Sequence, residues 1–407
     1  MSSLERSHSE RPLVVKFGGT SVGDGARFAR AARIAAEAAR DRPVAVVVSA
    51  MGGTTDTLLR YARMTVGEME ESIAGLHRAL AERHLEAARV AVAAEHLEAV
   101  EECVLGLLGE LDEAVRAPST NPKARRDEIA VYGERLSAEI LAGAISSQGV
   151  PAAAVAEDPI ATDANFGEAE VEAAATRERC TERVVPLLDG GLVAVVPGYV
   201  GRSPEGSPTT LGRGGSDLSA TVLGRALGSE EVWIMTDVDG VLDADPRLVP
   251  DASLMPRLSY REAGTFASLG AKVLHPRTME PASEGGIEVF VRNSFAPEGA
   301  GTRVTGFDPG AGVRCVALRP HVPVEIPCTD GRESHAAMVV CIGSPDDEDL
   351  ARGRRCLREA GISPLHFGIA AAGLVFLIPA REGVEALRAL HAGLIRPDGA
   401  YAGEEVA

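Results

Sequence analysis

The sequence predicts an α/β protein: a mostly parallel central sheet, interrupted by a helical insertion and followed by a small α+β region. Three observations carry this prediction. Two short apolar runs, Leu13–Phe17 and Val44–Val48, each end in a loop of glycine and hydroxyl residues and then pass into a helical pattern, the strand–turn–helix order of parallel sheets. Between residues 66 and 116, leucine and valine recur at helical spacing among alanine, glutamate and arginine. Beyond residue 302 the pattern changes to short strands mixed with two helices. With 407 residues, 45% hydrophobic and 25% charged, the chain can fill two or three cored domains of an ordinary globular protein.

The elements follow in order. Residues 1–11 are polar, with no apolar leader segment, and read as a frayed tail. The first strand carries Lys16 near its end and runs into Gly18-Gly19-Thr20-Ser21; a lysine in an otherwise buried strand is costly unless it meets an anion. The glycines precede no lysine of a Walker loop and lack the spacing of a dinucleotide fingerprint. The second strand enters Ser49-Ala50-Met51-Gly52-Gly53-Thr54-Thr55-Asp56, so two polar glycine loops share the carboxyl edge of the sheet, where open α/β sheets bind ligands. In the 66–116 insertion Leu76, Leu80, Leu97, Val100, Val104, Leu107, Leu108 and Leu111 form the apolar stripe of a helical hairpin, and Pro118 and Pro122 close it. Gly133-Glu134-Arg135-Leu136-Ser137 opens a further helix, with Glu134 in its first turn either solvated beside the helix dipole or facing a cation. Residues 150–155, 192–196, 232–235 and 287–293 read as strands; the loop 236–247 is acidic but lacks the closing glutamate of a calcium-binding loop.

The central stretch is Thr209-Thr210-Leu211-Gly212-Arg213-Gly214-Gly215-Ser216-Asp217, followed by a helical run of small and apolar residues. Its glycines allow a close backbone approach, Ser216 or Asp217 is expected to cap the helix, and the free N–H groups there form an anion cradle beside the Arg213 guanidinium. Arg213 opposite Glu134 would make a trap for a zwitterion. A net charge of −18 excludes nucleic acid and anionic membrane surfaces as natural partners, so any phosphate site is a local basic island. Six cysteines without a C-x-x-C pair indicate neither a zinc site nor a disulfide framework, and a reducing, cytoplasmic setting is expected.

Six ordered motifs within residues 13–302 resemble the aspartate kinases of the amino-acid kinase superfamily: Lys16-Phe17-Gly18-Gly19-Thr20-Ser21, Ser49-Ala50-Met51-Gly52, Gly133-Glu134-Arg135-Leu136-Ser137, and residues 209–217, 236–247 and 270–276. The resemblance implies a three-layer amino-acid kinase fold over residues 12–305 and a small ACT-like, ferredoxin-like domain over 312–407 that pairs subunits into a homodimer. It implies ATP-dependent phosphorylation of the β-carboxylate of L-aspartate, the first step of the aspartate pathway, with Mg²⁺ carried by the ATP phosphates and no direct protein ligand. Under it Lys16 and Lys272 face the transferring phosphoryl oxygens, and Gly18, Gly19, Gly214 and Gly215 cradle them. Glu134 takes the substrate ammonium, Arg213 its α-carboxylate, and Ser49, Thr55 and Ser216 are neutral partners. Asp217 orients Lys16 or the phosphate-bound magnesium, and Thr236, Asp237, Asp243 and Arg247 line the nucleotide. Leu242 stands where the family frequently has a tyrosine.

About a hundred residues remain for the regulatory end, enough for one ACT-like module by domain size, whereas the family usually carries two. Its fourth strand has to come from residues 313–318 or 322–326. Its first strand-to-helix turn, residues 343–349, is acidic and would repel a ligand carboxylate, so weak feedback inhibition by lysine or threonine is expected. Two other readings keep the fold: a kinase for another amino acid, and a sensor that binds without turnover.

Overall fold

The computed structural model describes residues 11–63, 69–269, 275–308, 310–324 and 334–395. They fall in two compact units, Met1–Val238 with Glu280–Gly299, and Asp239–Met279 with Ala300–Ala407.

The first unit is built on parallel strands β1 (Leu13–Phe17), β2 (Val44–Val48), β3 (Ala152–Ala154), β4 (Val193–Pro197), β7 (Glu231–Thr236) and β9 (Glu288–Asn293), in the order β3-β4-β2-β1-β7-β9. A short antiparallel hairpin, β5 (Val200–Arg202) and β6 (Pro208–Thr210), stands apart from that sheet. β1 and β2 are buried at every position, as strands covered on both faces must be. Leu13, Val15 and Phe17 share one core with α1 (Gly25–Ala38), the paired helices α3 (Met69–Ala91) and α4 (Ala94–Arg116), and α6 (Tyr132–Ser146). Helix α9 (Gly215–Leu227) packs on β1, β2 and β7, and Lys16, one residue out of phase with Phe17, turns toward it. Shorter helices α2 (Thr54–Tyr61), α5 (Pro122–Ala130), α7 (Ala173–Arg183) and α8 (Val185–Asp189) fill the connections. Capping sets two of these starts: Asp24 accepts from Arg27 N at α1, and Asn121 accepts from the N–H groups of Lys123 and Ala124 at α5, where Pro122 holds the first position.

The predicted hairpin insertion is α3 and α4, with Leu76, Leu80, Val100, Val104, Leu108 and Leu111 buried in the common core. The strand expected at 150–155 is only the three half-buried residues of β3, because it lies at the sheet edge with β4 as its single neighbour.

In the second unit β8 (Arg257–Ser259) and β10 (Thr302–Thr305) pair in parallel, and Ser259 and Glu262 close a capping box on α10 (Tyr260–Ser268). Helix α11 (Pro276–Gly285) runs across the boundary of the two units. The carboxyl-terminal module has β11 (Gly312–Val324), β12 (Ser334–Ser344), α12 (Asp347–Glu359), β13 (His366–Ala370), β14 (Gly373–Pro379) and α13 (Gly383–Leu394). Its antiparallel sheet runs β11-β12-β14-β13. This is a βαββα run whose remaining strand is supplied ahead of it. The two candidate ranges meet in one strand: β11 runs through 313–318 and on to Val324, with irregular pairing between Val313 and Cys315 and between Arg319 and Val322, and residues 325 and 326 of the second range lie outside the described residues. The turn around residue 346 spends two of its four acids on local structure, since Asp346 and Asp349 form the capping box of α12.

Candidate active site

Loops at the carboxyl ends of β1, β2 and β4, the first turns of α5 and α6, and the turn before α9 enclose a cleft of about 830 Å³. Lys16, Gly18, Gly19, Ser49, Thr55, Glu134, Arg213, Gly214, Gly215, Ser216 and Asp217 all line it. Residues separated by some 200 positions therefore meet because parallel strands deliver their loops to one edge.

Lys16 Nζ lies 2.5 Å from Asp217 Oδ1, with the side chains 11% and 14% exposed. The pair places a cation at the end of β1 and fixes it from the first turn of α9. The expected cap is corrected here. Neither Ser216 nor Asp217 caps α9; Gly214 does so in the left-handed region, φ 68°, without a side-chain hydrogen bond. A side chain at that position would strain the backbone, whereas glycine leaves the N–H groups of the turn open toward the cleft. Gly19 is needed for a different reason: a Cβ there would come 2.9 Å from the carbonyl oxygen of Ala50, so the two glycine loops can touch only as they are.

Glu134 is 3% exposed in the first turn of α6, not solvated. Burial pushes its carboxyl up to about 8, although the backbone N–H groups of Ala50 and of Glu134 itself oppose that shift. Its Oε2 has no hydrogen-bond partner among the described residues. A buried carboxyl in this state gains most from a ligand cation. Arg213, exposed on the same cleft, provides the opposite charge.

The remaining candidates are placed differently. Thr236, the last residue of β7, and Asp237 after it lie outside the cleft lining, joined by a Thr236 Oγ1 to Asp237 Oδ1 hydrogen bond of 3.3 Å. Asp243 and Arg247 belong to the second unit. Asp243 Oδ1 accepts from Ser253 N at 3.0 Å and lies 2.9 Å from His391 Nε2, and Arg247 is held by both oxygens of Asp245. Lys272 lies outside the described residues. Among the described residues no group of three or more His, Cys, Asp or Glu side chains is arranged to hold a metal ion.

Residues 11–293 match the family model described as the amino acid kinase family. An aspartokinase of Thermus thermophilus is 32% identical over 86% of this chain and 70% of its own length. The chain belongs to the aspartokinases. Lysine-sensitive aspartokinase 3 of Escherichia coli is 37% identical over 72% of this chain and 64% of its own length. The crystal structure of E. coli aspartokinase III in complex with lysine and aspartate superposes with a TM-score of 0.79 at 26% identity, covering 96% of this chain and all of that one.

The geometry of this aspartokinase adds residues that motif reasoning missed. Asp127 of α5 is buried against the cleft, and its carboxylate accepts from Gly167 N, Thr210 N and Thr210 Oγ1 at 2.8, 2.8 and 2.9 Å. It thereby ties the irregular 163–167 loop to the start of the central stretch. Desolvation raises its pKa, against the three bonds that lower it. Nothing in the sequence marks it, because it sits in a polar helix start, Pro-Lys-Ala-Arg-Arg-Asp, that reads as solvated. Tyr199 also lines the cleft, and at φ 67° it is one of two non-glycine residues with positive φ among those described. Such strain is held by surrounding structure and collects at functional sites; here Tyr199 N donates to Ser219 Oγ at 2.9 Å. The Pro197-Gly198-Tyr199 turn after an apolar run was the available signal. Lys123 and Arg126 stand on the cleft as well, so the local basic island comprises more than Arg213 and Lys16.

Proposed function

We propose that this aspartokinase transfers the γ-phosphoryl group of ATP to the β-carboxylate of L-aspartate, giving 4-phospho-L-aspartate and ADP. The observation that carries the proposal is the buried, partnerless Glu134 oxygen in one cleft with Arg213 and with the Lys16–Asp217 pair. A ligand that satisfies both ends needs an ammonium group and a carboxylate on one carbon, and a second anionic group reaching toward Lys16. L-aspartate has that charge pattern. E. coli aspartokinase III has been crystallised with aspartate and ADP, and it superposes on this chain with a TM-score of 0.74 at 28% identity.

In this reading Glu134 holds the α-ammonium, Arg213 the α-carboxylate, and Ser49, Thr55 and Ser216 donate or accept around them. The acceptor oxygen is already an anion, so no base is required. It forms the new bond to the γ-phosphorus while the bond to the bridging oxygen breaks, and ADP leaves with that electron pair. Catalysis is then positioning and charge neutralisation. Lys16, held by Asp217, meets the equatorial oxygens, and the N–H groups around Gly18, Gly19, Gly214 and Gly215 cradle them. Lys272, Thr236, Asp237, Asp243 and Arg247 serve the nucleotide in the same reading. The glycine contacts and the basic island fit a polyphosphate carrying Mg²⁺, which neutralises charge on the phosphate oxygens.

The catalytic domain is assigned to residues 12–305 and the ACT-like module to 312–407. Subunits are proposed to pair through that module into a homodimer, where Leu365 and Ile369 are exposed at the β13 edge. No helix among the described residues is long and apolar enough to cross a membrane, and the five described cysteines are free thiols. A cytoplasmic setting follows as part of the proposal.

Hydroxylamine trapping tests the reaction. With ATP and Mg²⁺, hydroxamate should form with L-aspartate and not with glutamate, N-acetylaspartate or succinate. Hydroxamate with another acid would move the acceptor; ATP binding without hydroxamate from any acid would favour a sensor.

A further inference from the structure

The helical insertion reads as packing, and most of α3 is packing: Leu76, Leu80, His84, Ala87, Ala88 and Ala91 are all buried. Arg83 is the exception. It stands half-buried one residue before His84 and turns away from the stripe, toward the two glycine loops. Its Nη2 donates to the carbonyl oxygen of Gly52 at 2.8 Å and to that of Gly23 at 3.4 Å, and its Nη1 donates to Thr54 Oγ1 at 3.3 Å. One guanidinium therefore bonds the loop after β1 and the loop after β2 together. Among the described residues these loops are otherwise joined by backbone hydrogen bonds from Ser49 N to Phe17 O at 3.0 Å at their bases and from Gly52 N to Gly19 O at 3.3 Å at their tips.

We propose that Arg83 is a positioning residue for phosphoryl transfer: its guanidinium, carried on the rigid inserted hairpin, sets the spacing between the loop that cradles the phosphoryl group and the loop that holds the acceptor. The inference rests on the kinase reading above. The loop after β1 carries Gly18 and Gly19, and the loop after β2 carries Ser49 and Thr55, so their separation is the separation of donor and acceptor sites. Glycine-rich loops have little intrinsic preference for one conformation. Here two tips are fixed by a fork whose five donors lie in one plane, anchored at the other end by a helix buried along one face. The anchor is close-packed at the loop itself: a Cβ on Gly25, where the first loop enters α1, would come 2.5 Å from Val90 Cβ of α3. A lysine, one bond shorter and with a single nitrogen, could not serve both carbonyls from the place of Nη2 and also reach Thr54 Oγ1 as the second guanidinium nitrogen does. The reacting groups do not touch Arg83, so its effect appears in turnover more than in the affinity of either ligand alone.

The test compares Arg83→Ala and Arg83→Lys with the unaltered chain, measuring kcat and both KM values by ADP release, thermal midpoints, and amide exchange over residues 18–25 and 49–56. The expected result for Arg83→Ala is a kcat lowered about 10- to 100-fold, the cost of a misplacement of about 1 Å, with KM values changed less than about threefold. Added guanidinium at non-denaturing concentration should restore part of kcat in Arg83→Ala and none in Arg83→Lys. Exchange in both loops should rise while that of β1 and β2 stays constant. A kcat within twofold of the unaltered chain in folded Arg83→Ala overturns the inference. So does a loss that guanidinium leaves unrescued and that tracks the thermal midpoint, which marks a merely structural arginine. If Arg83→Ala fails to fold, Thr54→Val and Arg83→Lys carry the same comparison. Absence of turnover in the unaltered chain would refute the kinase reading instead, and the exchange experiment would still report whether Arg83 pins the loops.

Discussion

Glu134 gives a prediction that separates this site from a generic anion cleft. Its carboxyl is buried, has no hydrogen-bond partner at Oε2 among the described residues, and is pushed up by burial to about 8. At pH 7 it is therefore only about one-tenth ionised. A substrate ammonium needs the ionised form, so binding at pH 7 must drive off about 0.9 proton, at a cost of about 1.4 kcal/mol. Two measurements follow. Calorimetric titration of L-aspartate at pH 7, in buffers of different ionisation enthalpy, should give apparent enthalpies that differ by about 0.9 of the buffer difference. KM for L-aspartate should fall about fivefold from pH 7 to pH 8 and about twofold more by pH 9 before it levels, as Glu134 becomes ionised beforehand. Glu134→Gln should abolish the proton release and weaken aspartate by about 100-fold or more, the order expected when a buried charge loses its partner. A buffer-independent enthalpy with a KM flat from pH 6 to 8.5 would refute the reasoning, since Glu134 would then be either ionised in the empty site or unconnected with the ammonium.

The same residue predicts how stability depends on pH. A folded-state value raised above 4.5 means that the folded chain keeps a proton the unfolded chain has released, so Glu134's contribution to stability falls as pH rises from 4.5 to about 8 and is flat outside that window; urea midpoints of Glu134→Gln should lack this slope. Lys16→Met should lower kcat by at least about 100-fold in the hydroxamate assay, by analogy with loss of one preorganised charge donor, and a variant retaining a tenth of the activity would remove Lys16 from the phosphoryl site. Asp127→Ala orphans the donors at Gly167 N, Thr210 N and Thr210 Oγ1, and a few kcal/mol should be lost from the urea unfolding free energy, at about 1 kcal/mol or more per unmade buried bond. Lysine at millimolar concentration should change activity less than about twofold, because Asp346 and Asp349 are committed to capping α12; inhibition in the micromolar range would show an effector site that this turn does not provide.

Local chemistry in the sequence determined the parts that depend on neighbours along the chain. The apolar run of β1, broken only by Lys16, the fully apolar β2, the helical stripe of α3 and α4, and the glycine loops carry their structure in residues a few positions apart, so strand, hairpin and cradle were all legible. The identity of the cleft residues from Lys16 to Asp217 was legible too, because six motifs in one order resemble a family whose chemistry needs those residue types. Tertiary structure alone decided the rest. Glu134's protonation depends on what buries it, and first-turn position in α6 by itself suggested a solvated acid. The cap of α9 falls on Gly214, where the backbone takes a positive φ, and Asp217 in the first turn pairs with Lys16, a residue 201 positions away in the chain. β11 became one strand instead of two alternatives because β12 offers a partner along nearly its whole length. Asp127 and Arg83 look like ordinary charged residues on polar helix faces, and only the folding of distant backbone against them makes each an anchor. A buried polar group bonds whichever partner the fold brings near: Asp127 accepts from Thr210 N, 83 positions away, and Arg83 donates to the carbonyl oxygen of Gly52, 31 positions away.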